Sequence, residues 1–358
     1  MERPRIKGVH HPMLVGPGLI SIGGTQDGVG AELDDEDGTL WRLLGLMDGD
    51  HTRDEIIAAV PEVDGESLTE AMDAFIEAGY VEDAAGEVPA NLSPAEVSRY
   101  DRALNYFAWV DMSPRLSRYE LQSRLKAARV TVCGLGGTGS AVAASLVAAG
   151  VGDVHCVDFD RVEPGNLSRQ LLYTEADVGA AKVATAVERL RSANRHAEVT
   201  GEERKVAGPD DLADLMAGRD LLVLAADEPR SVIARWANEA GLATGTPWQI
   251  ALYAGPTVVT GLFVPGVTPC YGCLPTFTEH YRDIGAVELF PWDGHAVLAP
   301  SANLTGHLAA LEAVHFLTGL TPSSLGRVFH LSLTDLTRAY YVEPKQDVTC
   351  ASCGREPS

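Results

Sequence analysis

Positive charge is scarce in this sequence: 28 Lys and Arg stand against 50 Asp and Glu, a formal net charge of −22. That balance argues against a nucleic-acid partner, which would need a basic face. Long apolar runs are missing too. No stretch approaches the roughly 20 apolar residues that span a bilayer. The N-terminus, Met1 to His10, lacks the apolar core of a signal peptide. We therefore expect no membrane partner and a cytoplasmic setting. No internal repeat or low-complexity tract is present. What remains is an ordinary globular composition, 46% hydrophobic and 22% charged over 358 residues, enough for a sizeable core and two domains.

Cysteine is sparse as well, and the six sort by context. Cys133 and Cys156 sit inside apolar, strand-like runs. The other four form two CxxC pairs, Cys270/Cys273 and Cys350/Cys353. In a cytosolic protein such pairs favour a metal over disulfides. Two pairs with 76 residues between them suit one tetrahedral, structural Zn²⁺ site with no open coordination position.

The acidity is concentrated at the front: residues 1–90 hold 5 Lys and Arg against 20 Asp and Glu. In residues 1–88 a strand-like "GLISIGG" precedes helical patterns. Thr52 with Glu55, and Ser67 with Glu70, read as capping boxes. A strand-like "YVED" follows. Strand, three helices and wing is the order of a small winged-helix (α+β) module. Residues 89–126 read as a helical connector with a helix start at Ser93-Pro94.

From Arg129 onward strands and helices alternate, with helices expected from Val178 and Arg230. This pattern predicts an α/β fold with a doubly wound, Rossmann-like, mostly parallel sheet over 127–358. "CGLGGTGS" joins its first strand to its first helix. Gly134, Gly136, Gly137 and Gly139 allow a tight turn and a close approach to phosphate at a helix N-terminus, although such turns also serve packing alone. Asp158 stands where an acid takes a ribose hydroxyl. Arg169 and Lys182 supply two cations, which suggests a triphosphate stabilised for attack. Asp160 and Asp227 are candidates for Mg²⁺ or for positioning the α-phosphate. Trp248, His280, Trp292 and His295 fall in or near candidate substrate loops, without assigned roles.

"RYDR", "GLGGTG", "DFDRVEPGNLSRQ", "DVGAAK", "AADEPRS" and the two CxxC pairs occur together, in order, over about residues 98–353. In this the chain resembles the ThiF/MoeB family, relatives of ubiquitin-activating enzymes. The resemblance implies an adenylyltransferase that activates a carboxylate with ATP and Mg²⁺, usually as a homodimer. It implies that Gly137, Asp158, Asn166, Arg169, Lys182 and Asp227 contact ATP or its metal, with Gln170 in the same motif. It also implies that Arg102 reaches the phosphates of a partner subunit. The front module resembles PqqD-like peptide-recognition domains, in which a leader segment adds as a strand to a sheet edge. Together these point to the microcin-C-type branch, acting on a ribosomal precursor peptide. Activation of a ubiquitin-like sulfur carrier is the alternative enzyme reading, and a non-catalytic leader-binding adaptor the alternative class. With four cysteines committed to metal and two in strands, adenylation without an enzyme thioester is expected.

Overall fold

The computed structural model describes residues 1–24, 28–115, 117–230, 232–275, 296–344 and 349–354. The chain folds as two compact units, Met1–Arg124 and Leu125–Ser358.

In the first unit, β2 (Met13–Gly16), β3 (Leu19–Ile22) and β4 (Ala31–Asp34) form an antiparallel sheet in that order. Three helices follow: α1 (Thr39–Leu46), α2 (Arg53–Ala59) and α3 (Gly65–Glu77). Thr52 and Glu55 make the expected capping box. The second box lies elsewhere. Asp64 caps α3, accepting from Ser67 N–H at 2.9 Å, so Ser67 is already inside the helix. The wing expected from "YVED" is a single short strand, β5 (Val81–Asp83), paired with β1 (Pro4–Ile6). Ile20, Ile22, Leu43, Ile56, Met72 and Val81 pack this unit's core. Helices α4 (Pro94–Arg99) and α5 (Asp101–Val110) also belong to it, α4 starting at the Ser93/Glu96 box. Helix α6 (Glu120–Ala127) carries the chain across to the second unit.

The second unit is built on eight strands. They are β6 (Arg129–Cys133), β7 (Asp153–Val157), β8 (Glu198–Glu202), β9 (Leu221–Leu224), β10 (Trp248–Ala254), β11 (Thr257–Phe263), β12 (Val328–Ser332) and β13 (Ala339–Val342). Their order is 13-12-11-10-9-6-7-8, parallel from β8 to β10 and antiparallel beyond. The chain winds from β6 outward to β8, then returns to β9 on the other side, so the order reverses between β6 and β9. In doubly wound sheets ligands bind at that reversal, beyond the carboxyl ends of the strands.

Helix α7 (Gly137–Ala149) packs on α8 (Lys182–Ala193) and α11 (Ala299–Thr318), while α9 (Pro209–Met216) packs on α10 (Ile233–Thr244). Covered strands read as continuous apolar runs. Leu221, Leu222, Val223 and Leu224 of β9 are accordingly all fully buried. Truncating one such leucine to alanine costs about 2–5 kcal/mol. Helix α8 starts at Lys182, four residues later than Val178, because a bridge between Arg161 and Ala181 keeps the chain extended there. Helix α10 starts at Ile233, after Arg230.

Candidate active site

A cavity of about 560 Å³ opens at the reversal point, between the ends of β6, β7 and β9 and the tip of β10. The glycines divide by what a side chain would meet. At Gly139 a Cβ would lie 1.8 Å from Gly134 O, and at Gly137 2.8 Å from the Ala302 Cβ. Gly134 has φ +92° and would press on the Ala226 amide at 2.6 Å. These three are required by packing and turn geometry. Gly136 is different. Its φ is −67°, and the nearest atom to a Cβ is Gln170 Nε2 at 3.8 Å. Gly136 keeps open space on the cavity wall, and as the N-cap of α7 it supplies no side-chain acceptor for the helix's first N–H groups. An anion can take that place.

Asp158 is buried at the end of β7. Its Oδ2 accepts from Leu135 N–H at 2.6 Å and its Oδ1 from Asp160 N–H at 2.8 Å. Lys182, the first residue of α8, is buried with its Nζ 2.8 Å from Asp160 Oδ2. Asn166 lies in the turn Pro164–Ser168, where its Oδ1 accepts from Glu163 N–H at 3.1 Å. Arg169 Nη1 donates to Gly165 O at 3.1 Å, and Asn303 of α11 donates to Arg169 O at 3.0 Å. Gln170 is 2% exposed, and its Oε1 has no partner among the described residues. Asp227 lies in the loop after β9 and is exposed.

Asp158, Asp160, Asn166, Arg169, Gln170, Lys182 and Asp227 line this cavity together with Gly134, Gly136 and Gly137. Gly139 does not line it. Arg102 belongs to the other unit, on α5, with its side chain 93% exposed.

Several lining residues were not singled out by the sequence. Tyr253 at the tip of β10 faces the same cavity, where burial pushes its phenol up against the lowering influence of the nearby Arg169 guanidinium. Arg204 lines it too, held by Glu202, Asp211 and Asp214. Phe159 presents a 39% exposed ring at the wall. Trp248 is no loop residue. It opens β10, is 1% exposed, and packs on Phe263 with ring centroids 5.1 Å apart. His280, Trp292 and His295 lie outside the described residues.

The four CxxC cysteines converge. Cys270 and Cys350 sulfurs are 3.8 Å apart, Cys273 and Cys353 3.6 Å, and Cys270 and Cys273 3.8 Å. A tetrahedron of thiolates about 2.3 Å from Zn²⁺ has edges of about 3.8 Å, so the donor set fits that metal. Asn238 of α10 donates to Cys270 Sγ at 3.7 Å and fixes the knuckle by accepting Tyr271 N–H at 2.9 Å. Zn²⁺ here would tie the chain's end to the sheet without taking part in chemistry. Among the described residues no helix is long and apolar enough to cross a membrane.

The model of the ThiF family matches residues 110–352. The sulfur carrier protein ThiS adenylyltransferase of Bacillus subtilis is 34% identical over 255 residues, covering 68% of this chain and 72% of that protein. The molybdopterin-synthase adenylyltransferase of Salmonella typhimurium is 31% identical, covering 74% of this chain and all of that protein. Among solved structures, Escherichia coli MccB with ATP superposes with a TM-score of 0.76 at 23% identity, covering 99% of this chain and 100% of that one. MccB, described as a microcin C7 biosynthetic enzyme, has also been solved with MccA.

Proposed function

Since this chain belongs to the ThiF family and is an adenylyltransferase, we propose that it uses MgATP to activate a carboxylate on a ribosomally made peptide, working as a homodimer. The observation that carries this reading is coverage. The two sulfur-carrier and molybdopterin relatives align over 68% and 74% of the chain, whereas the MccB fold runs over 99% of it. The first unit therefore belongs to the likeness with an enzyme that was crystallised with MccA.

In this reading the phosphates lie against Gly136 and the first N–H groups of α7. Arg169 and Lys182 supply positive charge to the phosphate chain, and Asn166 and Gln170 supply amide donors. Asp158 keeps a lone pair on each oxygen for the ribose. Asp160 is engaged by Lys182, which leaves Asp227 as the carboxylate for Mg²⁺. Arg102 is assigned to the phosphates of the partner subunit. A substrate carboxylate oxygen attacks the α-phosphorus, the bond to pyrophosphate breaks, and an acyl-adenylate results. The carboxylate is already ionised, so no general base is required. The site's task is to position two anions and offset their charge.

The acyl group then leaves AMP without passing to the enzyme. Cys133 and Cys156 are 2% and 0% exposed, and burial pushes both thiols up to about 12. A thiol that holds its proton is a poor nucleophile. The adenylate is attacked instead by a group of the substrate, by an ATP product or by water.

The first unit is assigned to leader binding. Among the described residues strand β2 pairs with β3 on one side only, and Met13, Leu14 and Val15 are 40%, 55% and 51% exposed. An extended peptide can add there through its backbone. The unit's acidity favours a basic leader, chiefly by steering its approach.

Sequence identity of 34% to a ThiS adenylyltransferase supports a second reading, activation of a sulfur carrier. AMP release from ATP separates the two. It is expected with a ribosomally made precursor peptide and not with a purified sulfur carrier. Release with the carrier alone would reverse the assignment.

A further inference from the structure

Lys182 is held unusually firmly for a lysine. Its side chain is 6% exposed, its Nζ donates to Asp160 Oδ2 at 2.8 Å, and its backbone N–H donates to Asp160 O at 3.0 Å. The flanking segments are tied as well: Val162 N–H donates to Ala180 O at 2.9 Å and Gly179 N–H to Val162 O at 2.8 Å. Asp160 N–H in turn donates to Asp158 Oδ1 at 2.8 Å, and Asp158 Oδ2 takes Leu135 N–H at 2.6 Å. One run of contacts thus joins the glycine loop, two carboxylates and the ammonium.

We propose that Asp160 is a positioning residue acting through Lys182: it fixes the ammonium on the cavity wall as a resident counter-ion and is not a ligand of the nucleotide's Mg²⁺. The inference rests on the reading of this cavity as an MgATP site. Lysine carries its charge on a flexible stem, and a point charge is useful to a phosphate only where it is held. An ammonium has three protons. One is spent on Asp160, and the other two remain for a phosphate, so nucleotide binding need not break the pair. A buried ammonium stripped of its partner is costly, which makes the partner necessary in the free enzyme. A metal ion placed on the same carboxylate would face the Lys182 charge at close range, where repulsion is strong in a part-buried site.

A double-mutant cycle between Asp160→Ala and Lys182→Ala tests this, read by calorimetric titration of MgATP into the full chain. The expected result is a loss of affinity of at least about tenfold for Asp160→Ala alone, shrinking to less than about twofold in the Lys182→Ala background. The Mg²⁺ concentration that half-supports binding should stay within about twofold of the native value, since no metal ligand is lost. Equal losses in both backgrounds, or a large shift in Mg²⁺ requirement, would overturn the proposal.

If Asp160→Ala melts the fold, Asp160→Asn keeps the shape and should show the same non-additivity with a smaller loss. Competitive acetylation of Lys182 by acetic anhydride reads the positioning without nucleotide. Removing Asp160 should raise its rate several-fold, and an unchanged rate contradicts the role. Failure of MgATP to bind the native chain would instead remove the functional reading, leaving the acetylation result to decide on Asp160.

Discussion

Leu135 N–H donates to Asp158 Oδ2 at 2.6 Å, so the carboxylate expected at a ribose also clamps the glycine loop to the end of β7. Its other oxygen takes Asp160 N–H at 2.8 Å. In Asp158→Asn the amide presents N–H to one of these donors, leaving a buried donor unpaired at a cost of about 1–3 kcal/mol. We expect a lower melting temperature and MgATP binding weakened by at least about tenfold, measured by calorimetry. Native affinity in this variant would mean that the clamp does not shape the site.

Gly136 and Gly139 should respond in opposite ways to alanine. At Gly139 the new Cβ would lie 1.8 Å from Gly134 O, and overpacking of that kind costs about 1–3 kcal/mol or more. At Gly136 nothing lies closer than 3.8 Å, so stability should change by less than about 0.5 kcal/mol. The Gly136→Ala methyl would instead occupy space on the cavity wall and weaken MgATP. Thermal melts and nucleotide titrations of both variants check this. A destabilised Gly136→Ala would show that its glycine serves packing.

Metal analysis of reductant-treated protein should give one zinc per chain, bound by Cys270, Cys273, Cys350 and Cys353. Cys273→Ser should lose the metal and lower the melting temperature, because a structural zinc contributes directly to folding. Less than about half a zinc per chain would contradict a Cys₄ site.

Cys133→Ala and Cys156→Ala should leave turnover nearly unchanged. Burial raises both thiols to about 12. The folded state therefore keeps these protons where the unfolded chain, with thiols near about 8.5, releases them. Stability from this source is complete below about pH 8.5 and falls as the pH rises toward 12. Alkylation of both residues at pH 8 should be slow in the native protein and fast in denaturant. A thiol-sensitive peptide–enzyme adduct that disappears in either variant would restore an enzyme thioester.

Leu14 stands 55% exposed on β2. Leu14→Asp should weaken peptide binding by at least about tenfold if the leader adds along this strand. MgATP affinity should stay native. Fluorescence anisotropy with labelled peptide measures the first and calorimetry the second. Unchanged peptide affinity would remove β2 from the leader site.

The glycine loop, the carboxylates, Arg169, Lys182 and the cysteine pairs were legible because each is short in sequence and its chemistry is carried by residue type. Tyr253 was not, since "IALYAG" reads as a plain apolar strand and only the folded chain brings the end of β10 to the cavity. Trp248 was grouped with residues in or near candidate substrate loops, but the tryptophan pairs with Phe263 across β10 and β11. The Ser67/Glu70 box matched the pattern of a helix start, yet Asp64 followed by Gly65 caps the helix three residues earlier. The partnership of Asp160 with Lys182 joins residues 22 apart, which spacing alone does not pair.

Exchange of labelled pyrophosphate into ATP tests the central claim most directly, because it reports reversible formation of an acyl-adenylate before any later step. With a ribosomally made precursor peptide, exchange should depend on both peptide and Mg²⁺ and should drop sharply in Lys182→Ala and Asp227→Asn. It should persist in Cys133→Ala and Cys156→Ala. Exchange that ignores the peptide, or that appears only with a ubiquitin-like sulfur carrier, would contradict the account.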